Sequence, residues 1–220
     1  MDNLDDLELD AWRSFDSGFA NDYLRSEKSR EQRARKKVVS LISKMYDDLD
    51  IDANKEKRAL RILEFGSGNG ERFDLVLKSG VKVEWTGIDI SPALVESATT
   101  RYPSQTWLVG NAEYPERVLG NSDERPYDIC LFCHVLEMLS SPQLALMKAR
   151  LMGIYTIIEF FEPPKGVVHR TEIRNLPESN LPYLRHSIGK STYLTWLVDA
   201  GFKKLDIHQT FGEYEVHVLS

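Results

Sequence analysis

Cysteine is almost missing from this chain: 2 of 220 residues, Cys130 and Cys133. Two thiols cannot build the disulfide framework of a small secreted domain. Their segment reads as a strand, where positions i and i+3 point to opposite faces. This C-x-x-C therefore neither grips zinc nor forms a redox pair, and both residues read as small buried hydrophobes. Apolar runs near the ~20 residues of a membrane-spanning helix are also missing. The stretch Met1 to Asp10 is acidic, unlike a signal peptide. These two features and the scarce thiols point to a cytoplasmic protein that does not enter the membrane. Net positive charge is lacking too: 28 Lys and Arg against 34 Asp and Glu leave −6. That balance exerts no general pull on nucleic acid or anionic lipid. There is no internal repeat, no low-complexity tract, and no carboxylate pair spaced for a magnesium site, so no metal is expected.

With 42% hydrophobic and 28% charged residues, the chain can bury the core of one domain. Residues 26 to 50 begin charged and then place Val38, Leu41, Ile42, Met45 and Leu49 on one helical face. Strands are expected up to Phe65, over Val81 to Ile88, Gln105 to Val109, Tyr127 to Cys133 and Ile154 to Phe161. Between them lie helices at Glu71 to Lys78, after Ser91-Pro92 (an N-cap followed by proline) and at Gln143 to Met152. A further helix around Tyr193 to Ala200 is closed by Gly201. Two last strands, Lys203 to Thr210 and Glu213 to Leu219, flank Gly212. Alternating strands and helices imply an α/β fold: a parallel sheet with helices on both faces and the last strand antiparallel. Residues 1–57 read as an N-terminal helical cap and 58–220 as the core, with an insertion at 162–189. Pro163, Pro164, Pro177 and Pro182 discourage long regular elements in that insertion.

The chemistry concentrates where the first strand ends. Ile62-Leu-Glu-Phe-Gly-Ser-Gly-Asn-Gly70 runs from apolar strand into alternating glycines 66, 68 and 70. Glycine there permits positive φ and close approach of a ligand. About 20 residues on, at the end of the next strand, stands Asp89, where an acid can take both hydroxyls of a ribose. A dinucleotide loop would read G-x-G-x-x-G to seat a pyrophosphate. Here Glu64 precedes the first glycine by two positions, and a carboxylate beside the loop suits a cationic ligand.

At this point the chain resembles the class I S-adenosylmethionine-dependent methyltransferases, whose first motif is E/D-x-G-x-G-x-G. Two later stretches match in order. Val109-Gly-Asn-Ala-Glu113 stands where the family writes G-D-A-E, with Asn111 replacing the aspartate. Tyr127 to Glu137 matches the fourth strand and its HVLEH ending, with Met138 replacing the last histidine. The resemblance spans residues 58 to 220. It implies a seven-stranded sheet of order 3-2-1-4-5-7-6, with S-adenosyl-L-methionine as cofactor and S-adenosyl-L-homocysteine as product. It places the cofactor on Glu64, Phe65, Gly66, Ser67, Gly68, Asp89, Ile90, Asn111, Ala112, Glu113 and His134. Tyr23, among the N-terminal aromatics Trp12, Phe15 and Phe19, and one arginine of the basic stretch 28–37, Arg33 or Arg30, complete that set.

For the acceptor, the loops after strands four and five carry His134, Glu159 and Glu162. The insertion adds Arg170, Arg174 and Arg185, a local basic excess fitting an anionic group. One of His134, His169 and His186 at most would serve as a general base. His217 and His208 read as surface residues. The expected activity is methyl transfer to a small-molecule N or O nucleophile. An RNA or protein methyltransferase and a catalytically silent cofactor-binding subunit stand as alternatives, and homodimer formation is left open.

Overall fold

The structure is a computed structural model that describes residues 12–13, 29–48, 58–120, 126–161, 163, 166–175, 182–209 and 214–220. After helix α1 (Ser29–Asp47), strands and helices alternate: β1 (Leu60–Phe65), α2 (Glu71–Lys78), β2 (Val83–Asp89), α3 (Pro92–Arg101), β3 (Thr106–Val109), α4 (Glu116–Leu119), β4 (Tyr127–Cys133), α5 (Pro142–Met152) and β5 (Gly153–Phe161). Then come β6 (His169–Asn175), β7 (Pro182–Ile188), α6 (Lys190–Asp199), β8 (Leu205–Gln209) and β9 (Tyr214–Leu219). Seven strands form one sheet in the order β3-β2-β1-β4-β5-β9-β8. Leaving out the inserted β6–β7 pair, this is the expected order 3-2-1-4-5-7-6. β1 to β5 pair in parallel, and β9 runs antiparallel to both β5 and β8.

Local signals set most boundaries. Ser91 accepts from the Leu94 amide as N-cap of α3, with Pro92 at its first turn. Gly201, at φ +85°, follows the end of α6. The central strands are buried on both faces, as parallel strands covered by helices must be. On one face, Ile62, Leu131, Ile157 and Val216 meet Ala34, Val38 and Ile42 of α1 and Phe73 and Val76 of α2. On the other, Phe65 stacks on Phe132 at 4.5 Å, beside Leu146, Ala149, Tyr193 and Trp196. Cys130 and Cys133 point to opposite clusters, and both thiols are free and buried. Helix α1 packs into the core of the sheet through Ala34, Val38, Leu41 and Ile42.

Two expectations are corrected. The insertion is not irregular: β6 and β7 pair antiparallel from His169↔Ile188 to Asn175↔Pro182. Pro182 sits at the first position of its strand, where a missing amide is tolerated, and Pro177 lies outside the described residues. His217 is not a surface residue but fully buried. Strand β9 is flanked by β5 and β8 and covered on both faces, so its alternate side chains have no solvent to meet. Among the described residues no helix is long and apolar enough to cross a membrane.

Candidate functional site

The carboxyl ends of β1, β2 and β4 converge on the glycine loop. The amides of Gly66 and Ser67 both donate to the Ile88 carbonyl, at 2.8 and 3.0 Å, so the loop folds over the end of β2. Gly66, Gly68 and Gly70 have φ of 68°, 54° and 80°. A Cβ at Gly66 would lie 2.5 Å from Val135 Cγ2, so sterics as well as backbone conformation require glycine there.

Asp89 closes the loop from below. Its Oδ2 accepts from the Gly68 amide at 2.8 Å and its Oδ1 from Ser91 at 2.9 Å. Burial pushes its pKa up, and the amides of Ser91, Gly68 and Ile90 pull it back. Beyond these amides the carboxylate keeps acceptor capacity for a hydroxyl. Glu64 is buried at 1% exposure, and its Oε2 lacks a hydrogen-bond partner among the described residues. Burial raises its pKa to about 8, with Arg72 opposing. Ser67 Oγ is likewise buried and unpartnered there.

A charged network lies beside these groups. Arg72 Nη2 and His134 Nε2 each approach Glu159 Oε2 at 2.9 Å. Burial disfavours the Glu159 carboxylate, but Arg72 and His134 outweigh it and bring its pKa to about 2. Burial would lower the His134 pKa, yet Glu159 and Glu137 raise it. His134 takes φ +55°, the one non-glycine residue in this conformation among those described, and its ring meets Tyr214 edge-on at 5.3 Å.

Glu159, expected at the substrate, is therefore a buried partner of Arg72 and His134. That pairing follows from the register Cys133↔Glu159 between β4 and β5 and was not visible in sequence. The Arg33 side chain is exposed; Arg35 instead is buried and reaches Glu71, just past the glycine loop, at 3.0 Å. Helical phase distinguishes the two, since Arg35 lies between the buried Ala34 and Val38. Phe65 and Ala112 belong to the core, which leaves their backbone to face a ligand. Ile90 is half-buried beside Asp89. Asn111 Oδ1 accepts from the Glu113 amide at 2.8 Å, so the oxygen assigned to adenine is already engaged once. Glu113 receives the Ser141 amide at the start of α5 and the Asn111 amide group, which fixes the loop.

Arg170 and Arg174 are exposed on β6 and share Glu172, each at 2.9 Å; Arg185 stands opposite Glu172 on β7. His169 and His186 face each other across the hairpin at 3.1 Å, and Trp196 of α6 packs on His169. Burial first and then His169 lower the His186 pKa. His186 Nδ1 also lies 2.9 Å from Thr171 Oγ1 within the hairpin. Tyr23, Phe15, Phe19 and Glu162 lie outside the described residues, while Trp12 meets Tyr183 of β7 at 5.0 Å.

Comparison with known proteins agrees with this fold. Residues 63–152 match the family model described as a methyltransferase domain. No curated protein matches the sequence. Solved structures share the fold at low identity. One is the CurJ carbon methyltransferase, at TM-score 0.63 and 14% identity, over 84% of this chain and 53% of that one. The chain thus spans about half that protein's length. Magnesium protoporphyrin IX methyltransferase from Synechocystis PCC 6803, solved with bound SAM, has TM-score 0.59 and 15% identity, over 99% and 95% of the two chains. The 1,6-didemethyltoxoflavin-N1-methyltransferase of Burkholderia thailandensis, solved with S-adenosylhomocysteine, has TM-score 0.58 and 13% identity, over 91% and 86%.

Proposed function

We propose that this chain, a class I methyltransferase fold whose residues 63–152 carry the methyltransferase domain, transfers a methyl group from S-adenosylmethionine to a small-molecule N or O nucleophile. The observation that carries the cofactor assignment is Glu64. A buried carboxyl group with an unpartnered oxygen directly before a glycine loop is ionised by an incoming cation and, once ionised, disfavours a pyrophosphate. The residues present fit the cofactor: Glu64 would hold its ammonium, Asp89 its ribose hydroxyls, and the loop backbone from Gly66 to Gly68 its methionine chain. When bound, S-adenosylmethionine supplies an electrophilic methyl carbon whose bonding pair stays on sulfur, leaving S-adenosylhomocysteine.

The chain's own contribution is alignment and exclusion of water. Val135 and the buried ends of β1 and β4 wall the site, and His134 stands at its rim. The acceptor lies between the 162–189 insertion and the N-terminal aromatics, a reading supported by the contact of Trp12 with Tyr183. Among the described residues of the hairpin, Arg170, Arg174 and Arg185 outnumber Glu172 and leave an excess of positive charge for an anionic group on the acceptor. Calorimetric titration of S-adenosylhomocysteine tests the first part. Transfer of tritiated methyl to a metabolite extract, compared with RNA, tests the second. Label appearing in RNA alone would overturn the small-molecule reading.

A further inference from the structure

Histidine 134 sits in a setting that the cofactor does not require. Its backbone is held at φ +55°, a conformation that a non-glycine residue keeps only where the surroundings enforce it. The result is a ring whose Nε2 lies 2.9 Å from Glu159 Oε2, an ion-pair contact that is not aligned as a hydrogen bond, while its side chain keeps 24% exposure. Among the described residues nothing hydrogen-bonds Nδ1. Glu159 itself is fixed from behind by Arg72 on α2, both of them buried. The charged or aromatic groups facing His134 are Glu159 from β5, Glu137 from the turn after β4, Arg72 from α2 and Tyr214 from β9.

Resting on the methyl-transfer reading above, we infer that His134 is the general base and Glu159 its positioning residue, with Arg72 anchoring Glu159. A carboxylate 2.9 Å from Nε2 favours the Nε2–H tautomer of the neutral ring, which puts the lone pair on Nδ1. Nδ1 then takes the proton of the acceptor N–H or O–H as that atom's lone pair forms its bond to the methyl carbon. The imidazolium formed is stabilised by Glu159 and afterwards returns its proton to solvent. Proton, methyl and electrons balance with no further reactant. Arg72 has the opposing influence: by sharing Glu159 it stops the carboxylate from holding the imidazolium too firmly.

Spectra of the full-length protein with ¹⁵N-labelled histidine test the pairing, with His134→Gln assigning the resonance. In the wild type, the neutral His134 ring should carry its proton on Nε2 and should titrate above pH 6.5. In Glu159→Gln the midpoint should fall, because the main opposition to the burial penalty is lost and only Glu137 still raises it. A neutral wild-type ring protonated on Nδ1 overturns the inference without needing any variant to fold. So does a Glu159→Gln midpoint equal to the wild type. Tritium transfer to a metabolite extract tests the base: His134→Gln should lose about 100-fold or more, and an unchanged rate overturns the role. If S-adenosylhomocysteine does not bind the wild type, the methyltransferase reading itself falls, whereas wild-type binding with a failed histidine result removes only the base.

Discussion

Two buried polar clusters flank the carboxyl edge of β5, one on each face of the sheet, and they differ in how completely they are satisfied. On the α6 face, His217 joins the Tyr193 hydroxyl at 3.0 Å and Glu215 at 2.8 Å, and Lys190 closes on Glu215 at 3.0 Å. Phe160 stacks on both Tyr193 and His217. On the α2 face, Glu64, Arg72, Glu159 and His134 share fewer contacts. Glu64 Oε2, Glu159 Oε1 and Arg72 Nε all remain without hydrogen-bond partners among the described residues. A folded chain rarely leaves such groups unmade, because each costs on the order of 1–3 kcal/mol. The contrast teaches that the first cluster is satisfied within the fold, whereas the second keeps polar atoms unmet among the described residues, as the proposed cofactor site requires.

The sharpest break of that contrast is at Asp89. Replacing it with alanine should lower S-adenosylhomocysteine affinity more than a hundredfold, since charge-assisted hydrogen bonds worth roughly 3 kcal/mol are lost along with the tie to Gly68. Calorimetry on the folded variant decides this, and unchanged affinity removes the ribose assignment.

Glu64→Gln should act in opposite directions on binding and stability. Affinity should fall roughly tenfold to a hundredfold, through loss of one charge-assisted contact. Stability should rise in mildly alkaline buffer. The sign follows from the raised pKa, about 8 against an ordinary 4.5. Between those values the folded state holds a proton that the unfolded state has released. Stability therefore falls as pH rises through this window, with a slope of about 1.4 kcal/mol per pH unit. Thermal melting of wild type and Glu64→Gln from pH 5 to 9 should show this slope only in the wild type. The same proton should be released when the cofactor's ammonium binds at pH 7. Calorimetry in buffers of different ionisation enthalpy measures that release, and none should occur with Glu64→Gln.

The satisfied cluster should answer in the other way. Tyr193→Phe leaves His217 Nδ1 without that hydroxyl and should cost about 1–3 kcal/mol of stability, with S-adenosylhomocysteine affinity unaltered. A large loss of affinity in that variant would erase the distinction between the clusters. The smallest effects belong to the hairpin. Neutralising Arg170, Arg174 or Arg185 singly should raise the acceptor KM by several-fold at most, because exposed charges contribute ~1 kcal/mol or less. Cofactor affinity should not change.

What could be read in the sequence was local. Alternating glycines after an apolar run, an acid at the end of the next strand, a serine–proline helix start and the period of each strand are all encoded within a few residues. They determined the sheet, the glycine loop, Glu64 and Asp89, because backbone conformation and strand pattern depend on near neighbours. The tertiary structure decided the rest. Glu159 meets Arg72 across 87 residues and His134 through the register of β4 against β5. Arg35 rather than Arg33 is buried because of the helix's rotation against the sheet, and His217 is buried because β9 is inserted between two strands. Sequence periodicity tells which residues share a face; only packing brings two faces together, and charge pairing over such separations is a property of that packing.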